Sequence, residues 1–261
     1  MNYGLLCGIN RYQTPGNDLR GCVHDVASMR VLLGHNDFSV MHVRSLTDEQ
    51  ATKQRIMDSL EQMVMNMKEG DHGVFHFSGH GSQVPDTNSD ESDSLDEILC
   101  PHDFDWTSTY ITDDGLREIL SNLHPGATLD VVLDACHSGT GLREVGDPVA
   151  KYIEYPGPWP VLVGVAGTMC YKAKELLKGH DQPNVALWAG CRSDQTSADA
   201  FINNIYQGAM TWAFTRAMQD WDNQCSRDDL IQGIHLKLSG KFDQEPQLET
   251  SDDMRLRRVF A

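Results

Sequence analysis

Two short apolar runs constrain this chain most: Gly73-Val74-Phe75-His76-Phe77-Ser78 and Thr128-Leu129-Asp130-Val131-Val132-Leu133-Asp134. Both are too short for a buried helix and carry β-branched or aromatic residues, so each reads as a strand buried on both faces. Similar strand candidates are Tyr3 to Ile9, Ser39 to Leu46, Val161 to Ala166 and Val185 to Gly190. Between them lie helical patterns. Residues 22–34 carry Val23, Val26, Ala27 and Leu33 at helical spacing, and a second stripe is Ile56, Leu60, Met63, Val64 and Met67. Thr47-Asp48-Glu49-Gln50 reads as the capping box that opens this second helix. Further helices are predicted around Leu116–Leu123, Gly208–Gln219 and Asp228–Leu238. Apolar strands alternating with amphipathic helices specify an α/β domain with a mostly parallel sheet. In such sheets functional groups gather beyond the carboxyl ends of the strands.

The 261 residues carry a net charge of −17, which repels nucleic acid and anionic membrane surfaces and suits basic partners or cations. Apolar stretches are far shorter than a membrane span, and the first residues, Met1-Asn2-Tyr3-Gly4-Leu5-Leu6, show no secretion signal. Seven cysteines, spread singly without a C-x-x-C pair, fit a reducing, cytoplasmic setting better than a disulfide framework. Two stretches look loop-like. Asp86 to Asp105 holds eight acidic residues and no Lys or Arg, and Arg143 to Pro183 is proline-rich with five basic residues.

Chemistry concentrates where the two constraining strands end. One runs into Ser78-Gly79-His80-Gly81-Ser82, the other into Ala135-Cys136-His137-Ser138-Gly139. A free thiol has a pKa of roughly 8.5 and needs a proton acceptor nearby to act as a nucleophile at neutral pH. Parallel strands would bring His80 to Cys136. Gly79 and Gly81 leave backbone N–H groups unhindered, and such donors can hold a developing oxyanion.

The motifs Phe77-Ser78-Gly79-His80-Gly81-Ser82-Gln83 and Asp134-Ala135-Cys136-His137-Ser138-Gly139 resemble those of metacaspases, the caspase-like cysteine peptidases. Three further stretches do the same: Leu19 to Val26, Tyr110 to Asp114, and Gly190 to Ala200. The chain resembles the compact form of that family, without a prodomain, as in prokaryotes. The resemblance implies one peptidase domain of the caspase–haemoglobinase fold, a six-stranded sheet flanked by helices. Within it, residues 1–142 would form the part with the dyad, 143–183 a connecting region and 184–261 a small-subunit-like part. His80 and Cys136 would be the dyad, and the N–H groups of Gly81 and Cys136 the oxyanion donors.

Caspases carry Gln two residues before the nucleophile; here that residue is Asp134. A carboxylate there turns the pocket toward Arg, which docks bidentately, or Lys, which docks as a point charge. By resemblance Cys22, Asp25, Ser78 and Asp134 line this pocket, and the substrates are peptides or proteins containing basic residues. The same resemblance places Ca²⁺ ligands at Asp96, Asp113 and Asp114. A fourth ligand position falls on Arg143, beside Glu144, a departure that weakens the site. Self-processing is expected in the basic connecting stretch, at Lys172, Lys174 or Lys178, with Lys151 set aside because it lies close to prolines. A monomer is expected, and no organic cofactor. The alternatives are a caspase-like scaffold without strong catalysis, and a nucleotide hydrolase, against which stands the absence of a G-x-x-x-x-G-K-[ST] loop.

Overall fold

The computed structural model describes residues 1–85, 95–136, 148–157, 184–192 and 195–260. Six strands form the central sheet: β1 (Asn2–Gly8), β2 (Val43–Thr47), β3 (His72–Ser78), β7 (Thr128–Asp134), β9 (Val185–Ala189) and β12 (Gln247–Glu249). Their order is β12-β9-β7-β3-β1-β2, and only the edge strand β12 runs antiparallel. A three-stranded sheet of β4 (Gly81–Pro85), β5 (Leu95–Leu99) and β6 (Ile111–Thr112) leaves the end of β3. A second small sheet joins β8 (Val149–Ala150), β10 (Ala198–Ile202) and β11 (Ile205–Gly208).

Successive side chains of a strand point to opposite faces, and the apolar residues of the central strands divide accordingly. Leu5, Phe75, Phe77, Leu129, Val131, Leu133 and Leu187 share a cluster with residues of α2 (Lys53–Asn66) and α3 (Asp113–Leu120). Leu6, Val74, Val132, Ala186 and Trp188 share the other cluster with α1 (Cys22–Gly34), α4 (Ala209–Asp220) and α5 (Arg227–Leu238). The sheet is thus covered on both faces, as strands apolar on both sides require. A short helix, α6 (Asp252–Leu256), follows β12.

Several boundaries differ from the sequence reading. The Thr47 side chain caps nothing; residues 48–50 form a single 3₁₀ turn, and α2 starts later, where Thr52 accepts from the Arg55 N–H. The helix predicted around Leu116–Leu123 starts earlier, with Asp113 and Asp114 in its first turn, where Thr112 accepts from the Gly115 N–H. Part of the acidic stretch taken as loop is the strand β5, in which Asp96 and Glu97 are buried. The strand predicted at residues 161–166 lies outside the described residues. No described helix is long and apolar enough to cross a membrane.

One buried ion pair fastens the C-terminal segment to the sheet. Asp130 on β7 accepts from Arg227 Nε at 2.9 Å and Nη2 at 2.6 Å, and from Trp188 Nε1 at 2.9 Å. Arg227 also donates to the Arg258 carbonyl at 3.1 Å. Removing one partner of such a pair strands the other charge in the interior. Arg227→Met is expected to cost about 3–5 kcal/mol in urea denaturation, and adding Asp130→Leu should recover most of the loss.

His76 on β3 is fully buried with Nε2 3.1 Å from Thr211 Oγ1. Burial lowers its pKa from 6.5 to about 3. Below pH 6.5 the unfolded chain therefore takes up a proton that the native chain refuses, and stability falls with pH at up to about 1.4 kcal/mol per unit. His76→Gln should flatten the stability profile between pH 6 and 4 by that slope; equal slopes would contradict a buried neutral imidazole.

Candidate active site

Parallel pairing sets the site. Gly8 pairs with Ser78 and Ser78 with Asp134, so β1, β3 and β7 end level. Every β3 residue faces the β7 residue 56 positions later. His80 and Cys136 have that same separation, so they leave the sheet side by side, each two residues beyond the last pair. Gly8 has to be glycine, since a Cβ there would lie 2.3 Å from the Cys22 carbonyl oxygen. That close approach lets the first turn of α1 settle on the strand ends, where Asn10 Oδ1 accepts from the Cys22 and Val23 N–H groups at 2.8 and 3.3 Å. Asp25, one turn on, is thereby aimed over Ser78.

Asp25, Ser78 and Asp134 converge on one point, and Lys151 occupies it. Its Nζ lies 2.9 Å from Ser78 Oγ, 3.3 Å from Asp25 Oδ2 and 3.0 Å from Asp134 Oδ1. The three acceptors match the three N–H bonds of an ammonium. Lysine and both carboxylates are at most 1% exposed. Each carboxylate is also held from outside this contact. Asp25 accepts from the Gly208 N–H at 2.9 Å and from Ser78 Oγ at 2.7 Å. Asp134 accepts from Ser197 Oγ at 2.7 Å and from the Thr211 N–H and hydroxyl at 2.9 and 2.7 Å.

The electrostatics follow from this crowding. Burial pushes the Asp25 carboxyl up to about 6, with Lys151 opposing. Burial also works against charge on Asp134, but Lys151, Ser197 and Thr211 outweigh it and hold the group below the ordinary carboxylate range. Burial works against the charge on Lys151, but Asp134 first, then Cys22, Asp25 and Asp199, keep its pKa well above the usual lysine value. Cys22 is buried beside the cluster, and burial raises its thiol pKa against the opposing pull of Lys151.

The backbone of Lys151 is engaged as closely as its side chain. Its carbonyl accepts from the N–H groups of Gly81 at 3.0 Å and Cys136 at 3.1 Å. Its own N–H donates to the Ser197 carbonyl at 3.0 Å, and the Ile153 N–H to the Gly81 carbonyl at 3.1 Å. Cys136 Sγ donates to the Ser197 carbonyl at 3.3 Å and accepts from the Ser197 N–H. Burial, then the neighbouring Cys191, push this thiol well above its ordinary pKa. His80 Nε2 lies 2.8 Å from the Asn17 carbonyl. A carbonyl only accepts, so Nε2 carries the proton, and the basic nitrogen of the neutral ring is Nδ1. Tyr12 holds the same residue, its ring tilted against the imidazole at 5.0 Å and its hydroxyl accepting the His80 N–H at 2.8 Å.

The acids named for Ca²⁺ make a different set of contacts. Arg117 pairs with Asp113 at 3.2 Å and with Asp114 at 2.5 Å, and burial raises Asp113 to about 6. Asp96 lies on β5 opposite Val84. Among the described residues no three metal-binding side chains cluster; Arg143 and Glu144 lie outside the described residues. Lys172, Lys174 and Lys178 do as well.

Sequence reasoning missed the tethers of the pocket, Ser197, Thr211 and Gly208, and the orienting Asn17 and Tyr12. Ser197 lay within a motif already singled out; the others carried no local signal. It also set Lys151 aside, because nothing near a solvent-loving side chain in a proline-rich stretch announces burial.

Comparison with known proteins agrees with this architecture. Residues 3–144 match the model of the metacaspase, peptidase C14 domain. Metacaspase-1B of Aspergillus fumigatus is 32% identical over 98% of this chain and 71% of its own length. Metacaspase-1 of Botryotinia fuckeliana is 33% identical over 98% and 69%. A crystal structure of a Geobacter sulfurreducens protein superposes with a TM-score of 0.73, covering 100% of this chain and 98% of that one at 22% identity, a likeness of fold alone. With both family and fold in agreement, the chain belongs to the metacaspases, cysteine-type peptidases with a caspase-like fold.

Proposed function

We propose that the protein is an endopeptidase that hydrolyses the bond after Lys or Arg, with Cys136 as nucleophile and His80 as proton carrier. One observation carries the reading: a lysine whose Nζ meets Asp25, Ser78 and Asp134 while its carbonyl meets the N–H groups of Gly81 and Cys136. A substrate residue in the same place would present its carbonyl to two oxyanion donors next to the thiol. His80 Nδ1 takes the thiol proton, Sγ adds to the carbonyl carbon, and the proton passes to the leaving amine. Each oxyanion donor is worth about 2.7–4 kcal/mol in the transition state. Water then releases the acid from the thioester.

The pocket selects by charge balance. Two buried carboxylates need a cation, and an acidic side chain would add a third negative charge. An ammonium uses the three acceptors as a tripod; a guanidinium would bridge the two carboxylates as a fork. Gly208 closes the pocket wall. A Cβ there would fall 2.1 Å from Asp134 Oδ2 and 2.3 Å from Lys151 Nζ, inside the space the cation needs. A regulatory Ca²⁺ at Asp96, Asp113 and Asp114 would have to displace Arg117 from two of these acids.

Fluorogenic peptides ending in Lys, Arg or Asp, with and without Ca²⁺, test this. Lys and Arg peptides should be cut and Asp peptides ignored. Cys136→Ala should abolish turnover, and His80→Ala should lower it by about 10²- to 10⁴-fold. Comparable cleavage after Asp refutes the basic pocket. Full activity in Cys136→Ala instead supports the scaffold reading, with cleavage arising elsewhere. Gly208→Ala should raise KM for Lys and Arg peptides at least about tenfold, since one misplaced methyl in a close-packed site already costs on the order of 1–3 kcal/mol.

A further inference from the structure

We propose that His76 is a positioning residue for the cation pocket: its imidazole N–H fixes the Thr211 hydroxyl as a donor to Asp134, and so sets how tightly a substrate's Lys or Arg is held. The proposal rests on the reading of the pocket just given. On packing grounds alone histidine is a poor choice for this place. It lies between Phe75 and Phe77 on β3, is fully buried, and shares its side of the sheet with Val74 and Val132. Among the described residues its Nδ1 is buried without a hydrogen-bond partner. An unpaired buried polar atom costs free energy that a leucine of similar size would not. The benefit has to lie at the other nitrogen.

The register places that nitrogen. His76 faces Val132, two residues before Asp134, on the same side of the sheet as Ser78. The first turn of α4 brings Thr211 to both, and the direction of each hydrogen bond is then forced. An ionised Asp134 only accepts. Its Oδ2 takes the Thr211 N–H at 2.9 Å and the Thr211 hydroxyl at 2.7 Å. A hydroxyl has one proton to give. Oγ1 can therefore meet His76 Nε2, 3.1 Å away, only as an acceptor, and Nε2 carries the proton. The donors run from His76 to Thr211 to Asp134, each bond polarising the next. Without His76 a helix threonine hydroxyl can turn to a carbonyl of the preceding turn, and Asp134 loses a donor. Neutrality matters as much as reach. Burial keeps the imidazole uncharged; a cation in its place would compete with the substrate's for Asp134. The neutral ring orients the acid and leaves its charge to the substrate.

Five chains decide the matter: wild type, His76→Leu, His76→Gln, Thr211→Val, and the double variant His76→Leu with Thr211→Val. Each is checked for native thermal unfolding and assayed with fluorogenic peptides ending in Lys, Arg or Asp. His76→Leu should raise KM for Lys and Arg peptides about three- to tenfold, the worth of one hydrogen bond. Its kcat should stay within about twofold of wild type, since the reacting atoms are untouched, and its thermal stability at neutral pH should not fall. His76→Gln, whose amide N–H reaches as far as Nε2, should bring KM back towards wild type. Thr211→Val should raise KM more than His76→Leu does. On that background His76→Leu should add nothing, because the two side chains act through one bond. An unchanged KM in His76→Leu overturns the proposal, and so do equal KM values in the leucine and glutamine variants. Additive effects in the double variant overturn it too, as does a fall in kcat at constant KM, which would place the effect at the dyad. Ordinary Lys and Arg cleavage with indifferent His76 variants leaves the basic-pocket reading in place; cleavage after Asp by wild type removes that reading itself. Should His76→Leu fail to fold, His76→Met, unbranched and equally without a donor, replaces it against His76→Gln.

Discussion

The pairing of β3 with β7 is the constraint from which the site follows. Its register puts Ser78 opposite Asp134 and holds His80 and Cys136 at equal distances beyond the sheet. A parallel ladder admits no small adjustment: a slip of one residue would turn every side chain of the strand to the other face. Phe75 and Phe77 would then exchange places with Val74 and His76, and both hydrophobic layers would be wrong at once. The precision of the chemistry is thus underwritten by apolar packing some distance away. The aligned strand ends also fix Asp25, since α1 can seat against β1 only over the bare backbone of Gly8.

Charge is the second organising principle. The molecule is strongly acidic overall, yet the two cations buried among the described residues, Lys151 and Arg227, sit at positions of definite consequence. Arg227 answers Asp130 in the middle of β7 with two hydrogen bonds and closes the C-terminal segment onto the sheet with three more to backbone carbonyls. Lys151 answers two carboxylates at the end of the same strand. The first pair is permanent architecture. The second consists of an acid pair fixed by backbone and hydroxyl donors, and a cation carried on a separate short segment.

Much of this was legible in the sequence, for definable reasons. β3 and β7 announced themselves because strands covered on both faces must be almost wholly apolar. The equal spacing of His80 and Cys136 from those runs marked the strand ends as a site. The β4–β5 hairpin was hidden because Asp96 and Glu97 interrupt its apolar pattern although both are buried. The start of α2 was misplaced because Thr47 and Thr52 both precede plausible first turns, and only packing chooses between them. Lys151 could not be read at all. Its burial depends on Asp25, 126 residues away in the chain, and on Asp134 at the close of β7. The paired N–H groups of Gly81 and Cys136, which meet the Lys151 carbonyl, were by contrast foreseeable as donors, because glycine and the residue after a strand commonly expose N–H groups.

The β7–β9 ladder has a consequence for how this molecule ages. These two strands pair along Leu129–Leu133 and Val185–Ala189, but the chain between them passes through the segment seated in the site. Any break in that connection leaves two polypeptides sharing one sheet, with Arg227 of the second still clasping Asp130 of the first. The particle keeps its shape and its core. What changes is the route back: a chain that could refold by itself becomes a pair that must find each other again, at a rate set by their concentration. Such a molecule persists because unfolding is slow rather than because refolding is assured. A single broken bond would therefore turn a self-renewing fold into a consumable one.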